Sequence, residues 1–186
     1  MQASCSAAIQ IRRLSAPEAR ECVSALAEVL GDCVAGGASV SFMWPFTQPQ
    51  AEEFFRNVAD GVAKGERILL AAFADSKLVG TVQIVTAMPP NQPHRADVSK
   101  LLVHRSVRRR GVGALLMEQA EREAEAAGKT LLVLDTATGG DAERLYERMD
   151  WVKGCVIPRY ARFPDGQWGD TTIFWKALPS EFEVVI

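Results

Sequence analysis

The sequence predicts an α/β (α+β) domain built on a central mixed β-sheet of about seven strands, with helices on both faces. Two observations carry that expectation. Short apolar runs of strand length alternate with segments whose apolar residues recur at helical spacing. In the middle of the chain a strand, a long helix and a second strand follow one another over 96–135 as a β-α-β crossover, while the strands around it come as hairpins; parallel and antiparallel pairs in one sheet make it mixed.

The elements follow in order. Residues 8–14 read as a first strand. Ser15 then opens a helix as N-cap, with Pro17 and Glu18 in its first turn. That helix turns Cys22, Leu26 and Val29 or Leu30 inward and is expected to stop near Gly31. Residues 34–49 read as irregular, with Gly36-Gly37, Pro45 and Pro49. Residues 50–64 form a second helix with Phe54, Phe55 and Val58 on one face and Gly65 as its stop. Strands at 67–73 and 78–86 make a hairpin. A polar loop through His94 leads into a fourth strand, 96–103. After a Gly-rich turn, a long helix runs to about Ala127, with Val112, Leu115, Leu116, Ala120 and Ala124 on its inner face and Glu118, Glu121, Arg122 and Glu125 on the other. Residues 130–135 are a buried strand, 141–149 a helix, and 151–161 and 171–177 the last two strands, joined at Pro164-Asp-Gly166.

Composition narrows the function classes. The chain has 186 residues, 48% hydrophobic and 24% charged. That suits one folded domain over 1–186 and excludes global disorder. With 21 Lys plus Arg against 23 Asp plus Glu, the net charge is −2, which argues against a dedicated nucleic-acid binder. Cys5, Cys22, Cys33 and Cys155 lie far apart, and only His94 and His104 supply imidazoles. No zinc site is expected, and the thiols read as reduced and mostly buried. The N-terminus lacks a basic start and an apolar signal core, and no run reaches the ~18 apolar residues of a membrane span. A cytoplasmic location without membrane attachment is the expectation. The apolar tail Phe182-Glu-Val-Val-Ile186 is a candidate cover for an edge strand or a neighbouring subunit, and both monomer and homodimer stay open.

The most informative segment is Lys100-Leu-Leu-Val-His-Arg-Ser-Val-Arg-Arg-Arg-Gly-Val-Gly-Ala114. An apolar strand ends at Val103, and a basic turn opens an amphipathic helix near Gly111. A helix N-terminus presents amides without intrahelical partners, and its dipole favours an anion. Gly111 and Gly113 let a bulky anion approach the backbone, and Arg108, Arg109 and Arg110 add charge. The R-x-x-G-x-G spacing is expected by chance about 0.08 times in a chain of this composition. It is neither a Walker loop nor a dinucleotide fingerprint. A pyrophosphate site is the reading, against a plain strand-to-helix turn with solvated arginines.

Leu101-Leu-Val103 followed by Arg108-Arg-Arg-Gly-Val-Gly113 resembles the acetyl-CoA-binding motif of the GNAT N-acetyltransferase superfamily. Leu145-Tyr-Glu-Arg-Met-Asp-Trp151 resembles a second segment of that family, and the element order matches over most of the chain. Gly36-Gly-Ala-Ser-Val-Ser-Phe-Met43, Arg95-Ala-Asp-Val98, Leu134-Asp-Thr136 and Pro164-Asp-Gly166 are similar to its tabtoxin-resistance subgroup. The resemblance implies a GNAT fold and acetyl-CoA as cosubstrate, with no metal. It implies that backbone groups of Leu101, Leu102 and Val103 bond the pantetheine arm as an added strand would. The amides from Arg108 through Arg109, Arg110, Gly111, Val112 and Gly113 to Ala114 would hold the pyrophosphate. Asp150 stands where the family usually has Gly, and Gly139 where an Asn often precedes the helix.

Acetyl transfer to an amine needs an amine proton removed and a thiolate received. An alkyl ammonium with pKa ~10.4 is almost wholly charged at pH 7. Asp97, entering strand four, and Asp135, ending the neighbouring strand, are candidates to attract the amine or act as base. Each equally fits a plain structural role, Asp97 paired with Arg95 or Lys100 and Asp135 capping a turn. The resemblance makes Tyr146 the candidate acid, where spacing alone would read a packed helix tyrosine. Phe42, Trp44 and Phe46 read equally as an acceptor wall, as core plugs or as a subunit contact. His104 reads as a solvated surface histidine and His94 as loop. The leading expectation is an acetyl-CoA-dependent N-acetyltransferase acting on a small amine, such as an amino-acid-like toxin or antibiotic. The alternatives are a protein N-acetyltransferase and a non-catalytic acyl-CoA sensor.

Overall fold

The structure is a computed structural model that describes residues 8–179; Cys5 and the tail from Phe182 lie outside them. One seven-stranded sheet, ordered β1-β2-β3-β4-β5-β7-β6, runs through it. The strands are β1 (Ile9–Leu14), β2 (Arg67–Ala74), β3 (Lys77–Val85), β4 (Arg95–Val103), β5 (Leu131–Ala137), β6 (Val152–Arg162) and β7 (Trp168–Ala177). All pairs are antiparallel except β4–β5, as a crossover helix between those two strands requires.

The helices are α1 (Ala16–Glu21), α2 (Val23–Ala35), α3 (Gln48–Ala63), α4 (Val112–Ala126) and α5 (Asp141–Arg148), with a 3₁₀ turn at Arg105–Val107. Ser15 is the N-cap as expected, and Glu18 reaches back to close a capping box with it. The first helical stretch differs from expectation in two ways. It breaks at Cys22 into α1 and α2, and it passes through Gly31 to end at Gly36. Buried Val29, Leu30, Cys33 and Val34 hold this turn against the core, outweighing the ~1 kcal/mol that a helical glycine costs. The third helix starts at Gln48, two residues early, because Gln50 Oε1 accepts the Thr47 N–H and closes a capping box.

Two apolar layers sandwich the sheet. On one face α4 and α5 bury Val112, Leu116, Met117, Ala120 and Tyr146 against Leu70, Ala96, Val98, Leu132 and Phe174. On the other, α1–α3 bury Leu26, Leu30, Phe55 and Val58 against Leu14, Leu69 and Leu102. Leu115, expected on the inner face of α4, is exposed. Of the three described cysteines only Cys33 is buried; Cys22 is intermediate and Cys155 exposed, so the expectation of mostly buried thiols fails.

Two irregularities shape the middle of the sheet. The parallel ladder between β4 and β5 joins only Arg95, Ala96 and Asp97 to Leu131, Leu132 and Val133. Beyond it the strands part. Opposite β3, two residues of β4 face one: Gln83 pairs with Ser99 and Thr81 with Leu102. This bulge puts Lys100 at φ +53° and reverses the side-chain alternation. Ala96 and Val98 therefore face α4, while Leu102, of the same parity, faces α2 and α3.

Glu143 locks α5 to the sheet. Its buried carboxylate accepts from Lys153 Nζ at 2.7 Å, from Thr172 Oγ1 at 2.9 Å and from the Gly139 N–H. These donors, the Lys153 hydrogen bond first, hold its carboxyl below the usual range.

Candidate active site

The turn that leads into α4 is built on left-handed backbone. Arg109 (φ +63°) and Gly111 (φ +79°) are left-handed, and Gly111 is the N-cap of α4 without any side-chain cap. The first intrahelical bond there runs from Leu115 N–H to Gly111 O. The amides of Val112, Gly113 and Ala114 have no helix carbonyl to meet. A Cβ on Gly111 would meet nothing within 4 Å, so the approach is open. Such a cradle fits a diphosphate, which needs several convergent donors and a positive dipole end.

The arginines divide their work. Arg109 and Arg110 are exposed at the turn. Arg108 instead reaches inward, its Nε donating to Val103 O at 3.1 Å, and Cys33 Sγ donates to the same carbonyl at 3.6 Å. The Val103 carbonyl is therefore already engaged, so of the implied pantetheine contacts on Leu101–Val103 this one has protein competitors. Asp32, unmarked by any sequence signal, organises the turn from α2. It accepts from the Arg105 backbone N–H at 2.9 Å and from Arg105 Nε, and lies 3.4 Å from His104 Nε2. His104 is consequently mostly covered, where a solvated residue was expected.

Where β4 and β5 part, a cleft of about 360 Å³ opens. Asp97, Ser99, Val133, Asp135, Tyr160 and Ile173 are among its lining residues. Asp97 and Asp135 alternate with residues that face α4, so both point to the opposite face of the sheet. The structure thus brings the two candidate carboxylates together. Asp97 also pairs with Arg95 Nη1, one of the structural partners weighed above. Asp135 lies within β5 and caps no turn. Tyr160, exposed on β6, carried no sequence signal beyond its strand.

Tyr146 comes from the other side. It is buried on α5, its ring 5.9 Å from that of Trp151 and 5.8 Å from that of Phe174. Burial, and then the Asp135 charge, push its phenol above the usual range. That coupling connects the phenol electrostatically with a carboxylate of the opposite face. At Asp150, where the resemblance expects glycine, the turn after α5 is left-handed, with φ +59°, a conformation Asp tolerates better than most residues.

The aromatic loop divides. Phe42 packs on Phe46 and Phe54, with centroids 4.6 and 5.3 Å away, against the α1–α3 core. Trp44 is 49% exposed, and its backbone N–H donates to Pro164 O. Phe42 therefore serves as a core plug, and neither ring is among those lining the cleft.

A sequence model of the Acetyltransferase (GNAT) family matches residues 37–151. YncA from Salmonella typhimurium, a candidate acetyltransferase solved with its cofactor acetyl-CoA, superposes with a TM-score of 0.77 at 18% identity, over 94% of this chain and 96% of that one. A ribosomal-protein-alanine N-acetyltransferase from Brucella melitensis gives 0.76 at 19% identity, over 91% and 99%. A candidate phosphinothricin N-acetyltransferase gives 0.75 at 20% identity, over 93% and 100%. At such identities the likeness is one of fold, and the last two names point to a protein and a small-molecule acceptor respectively.

Proposed function

Because the chain belongs to the GNAT family of acetyltransferases, we propose that it moves the acetyl group of acetyl-CoA to the amine of a small molecule. The observation that carries this reading is the cleft between β4 and β5, lined by Asp97 and Asp135. A cleft of this size suits a small acceptor, and paired carboxylates concentrate a cationic amine. The likeness to the tabtoxin-resistance subgroup extends the acceptor class to an amino-acid-like toxin or antibiotic.

Each residue has a role in this reading. The amides from Arg109 to Ala114 hold the diphosphate at the head of α4, and the edge of β4 left unpaired beyond Asp97 offers the Leu101 backbone groups to the pantetheine arm, Leu102 being paired with Thr81 of β3. Acetyl-CoA supplies the activated acyl carbon and a thiolate leaving group. Asp97 or Asp135 holds the ammonium and accepts its proton, directly or through water. As the N–C bond forms and the C–S bond breaks, the Tyr146 phenol meets the departing sulfur from the opposite face. The apolar surroundings that keep the phenol protonated raise the basicity of a thiolate among them as well, which keeps donor and acceptor matched.

The test is thiol release from acetyl-CoA across a panel of small amines. With an accepted amine, Asp97→Asn and Asp135→Asn are the decisive variants. The one that acts as base loses kcat/KM while acetyl-CoA affinity holds, and its rate rises only toward higher pH, since the amine must then ionise unaided. A purely electrostatic role raises KM and leaves the pH profile in place. If both variants match wild type, the acceptor binds elsewhere.

A further inference from the structure

We propose that Lys100 binds an anionic group of the acceptor, such as a carboxylate, and so selects amines that carry one; this rests on the small-amine reading above. Lys100 occupies the β4 bulge at φ +53°, a conformation that a side chain bearing Cβ adopts at some cost and that clusters at functional sites. The residue is half-buried. Its ammonium donates to Ser41 Oγ at 3.2 Å, which draws it to the face carrying the α2–α3 loop. That is the face to which Asp97 and Asp135 point.

The contrast with neighbouring cations carries the argument. Arg95, likewise part-buried, holds Asp97, and Lys176 holds Glu121 at 2.8 Å. Among the described residues no carboxylate forms an ion pair with Lys100. A partly desolvated ammonium with one hydroxyl partner keeps donor capacity and positive charge to spare. Asp135 is the carboxylate whose field it feels. Asp97 and Asp135 form the acidic end of the cleft, and Lys100 stands beside it, next in the chain to the lining residue Ser99 and near enough to Asp135 to feel its charge. This is the charge pattern of a zwitterion, with its ammonium toward the aspartates and its anion toward the lysine. A simple alkylamine has nothing for Lys100 to hold.

The experiment measures kcat/KM with acetyl-CoA for L-amino acids and their C-terminal carboxamides, in wild type, Lys100→Met and Lys100→Arg. Amidation also lowers the basicity of the amine, so the quantity read is the acid-to-amide preference of each protein relative to wild type. Loss of one charge-assisted contact predicts that Lys100→Met reduces that preference about tenfold, with Lys100→Arg restoring most of it. Burial, more than Asp135 offsets, holds the Lys100 ammonium below the usual lysine range. The advantage of wild type over Lys100→Met is full at neutral pH and fades as pH rises through that lowered value. Equal losses on acid and amide, or none, overturn the assignment to Lys100. If wild type acetylates only peptide amines, both this inference and the small-amine reading fail, while acetyl transfer stands. Absence of thiol release with any amine overturns all three.

Discussion

Gly113→Asp is expected to bind acetyl-CoA at least about tenfold more weakly than wild type. Gly113 lies in the first turn of α4, where amides and dipole face the proposed diphosphate. A carboxylate there replaces attraction by repulsion, and losing amide contacts together with the helix-terminus interaction exceeds the ~1.4 kcal/mol that a factor of ten requires. Gly113 has a packing role as well: a Cβ there would approach Leu145 Cδ2 to 3.2 Å. Gly113→Ala separates the two effects. The Leu145 tip can give by a few tenths of an ångström, so the alanine variant reads the cost of the Cβ and the difference between Ala and Asp reads the charge. Calorimetric titration with acetyl-CoA on folded protein measures both. Unchanged affinity in the Asp variant would remove the pyrophosphate from this turn.

Tyr146→Phe is expected to cut turnover by roughly 10²-fold while leaving acetyl-CoA affinity nearly intact. The substitution keeps the ring between Trp151 and Phe174, so the fold loses little. What goes is the one group that the proposed mechanism offers to the leaving sulfur. Steady-state rates on an accepted amine, set beside the binding titration, distinguish this from a packing role, which would spare turnover. A fully active Phe variant returns Tyr146 to the core.

The parts of the site that sequence made legible are those set by local chemistry. The strand, basic turn and amphipathic helix from Lys100 to Ala114 announce themselves because glycine, arginine and apolar spacing each have a local meaning. The two aspartates could be named because they bound strands at the right points. Their common face could not, since a bulge in β4 ahead of Asp97 would reverse it. The bulge is at Lys100, after Asp97, and lysine carries no signal for left-handed backbone. Asp32 was hidden for a different reason. Its partners Arg105 and His104 lie more than 70 residues away, and a helix stop near Gly31, as the sequence suggests, leaves Asp32 outside the helix that in fact holds it. Phe42 and Trp44 stand two apart in one loop, and only the packing of α3 separates a core ring from an exposed one.

The three-residue ladder between β4 and β5 also bears on how the molecule moves. It divides the sheet into a four-stranded block, β1 to β4, and a three-stranded block, β5, β7 and β6. The apolar layer under α4 and α5 spans both blocks, so they are held together along that face and parted at the cleft on the other. Such an arrangement has the architecture of a hinge with its pin on the α4 side. Rocking about it would change the cleft width without breaking either block's ladders, and collective motions of this kind fall in the microsecond-to-millisecond range. The cleft proposed for the acceptor would in this sense be an adjustable aperture, and a bound pantetheine lying between β4 and β5 would act as the wedge that fixes its opening.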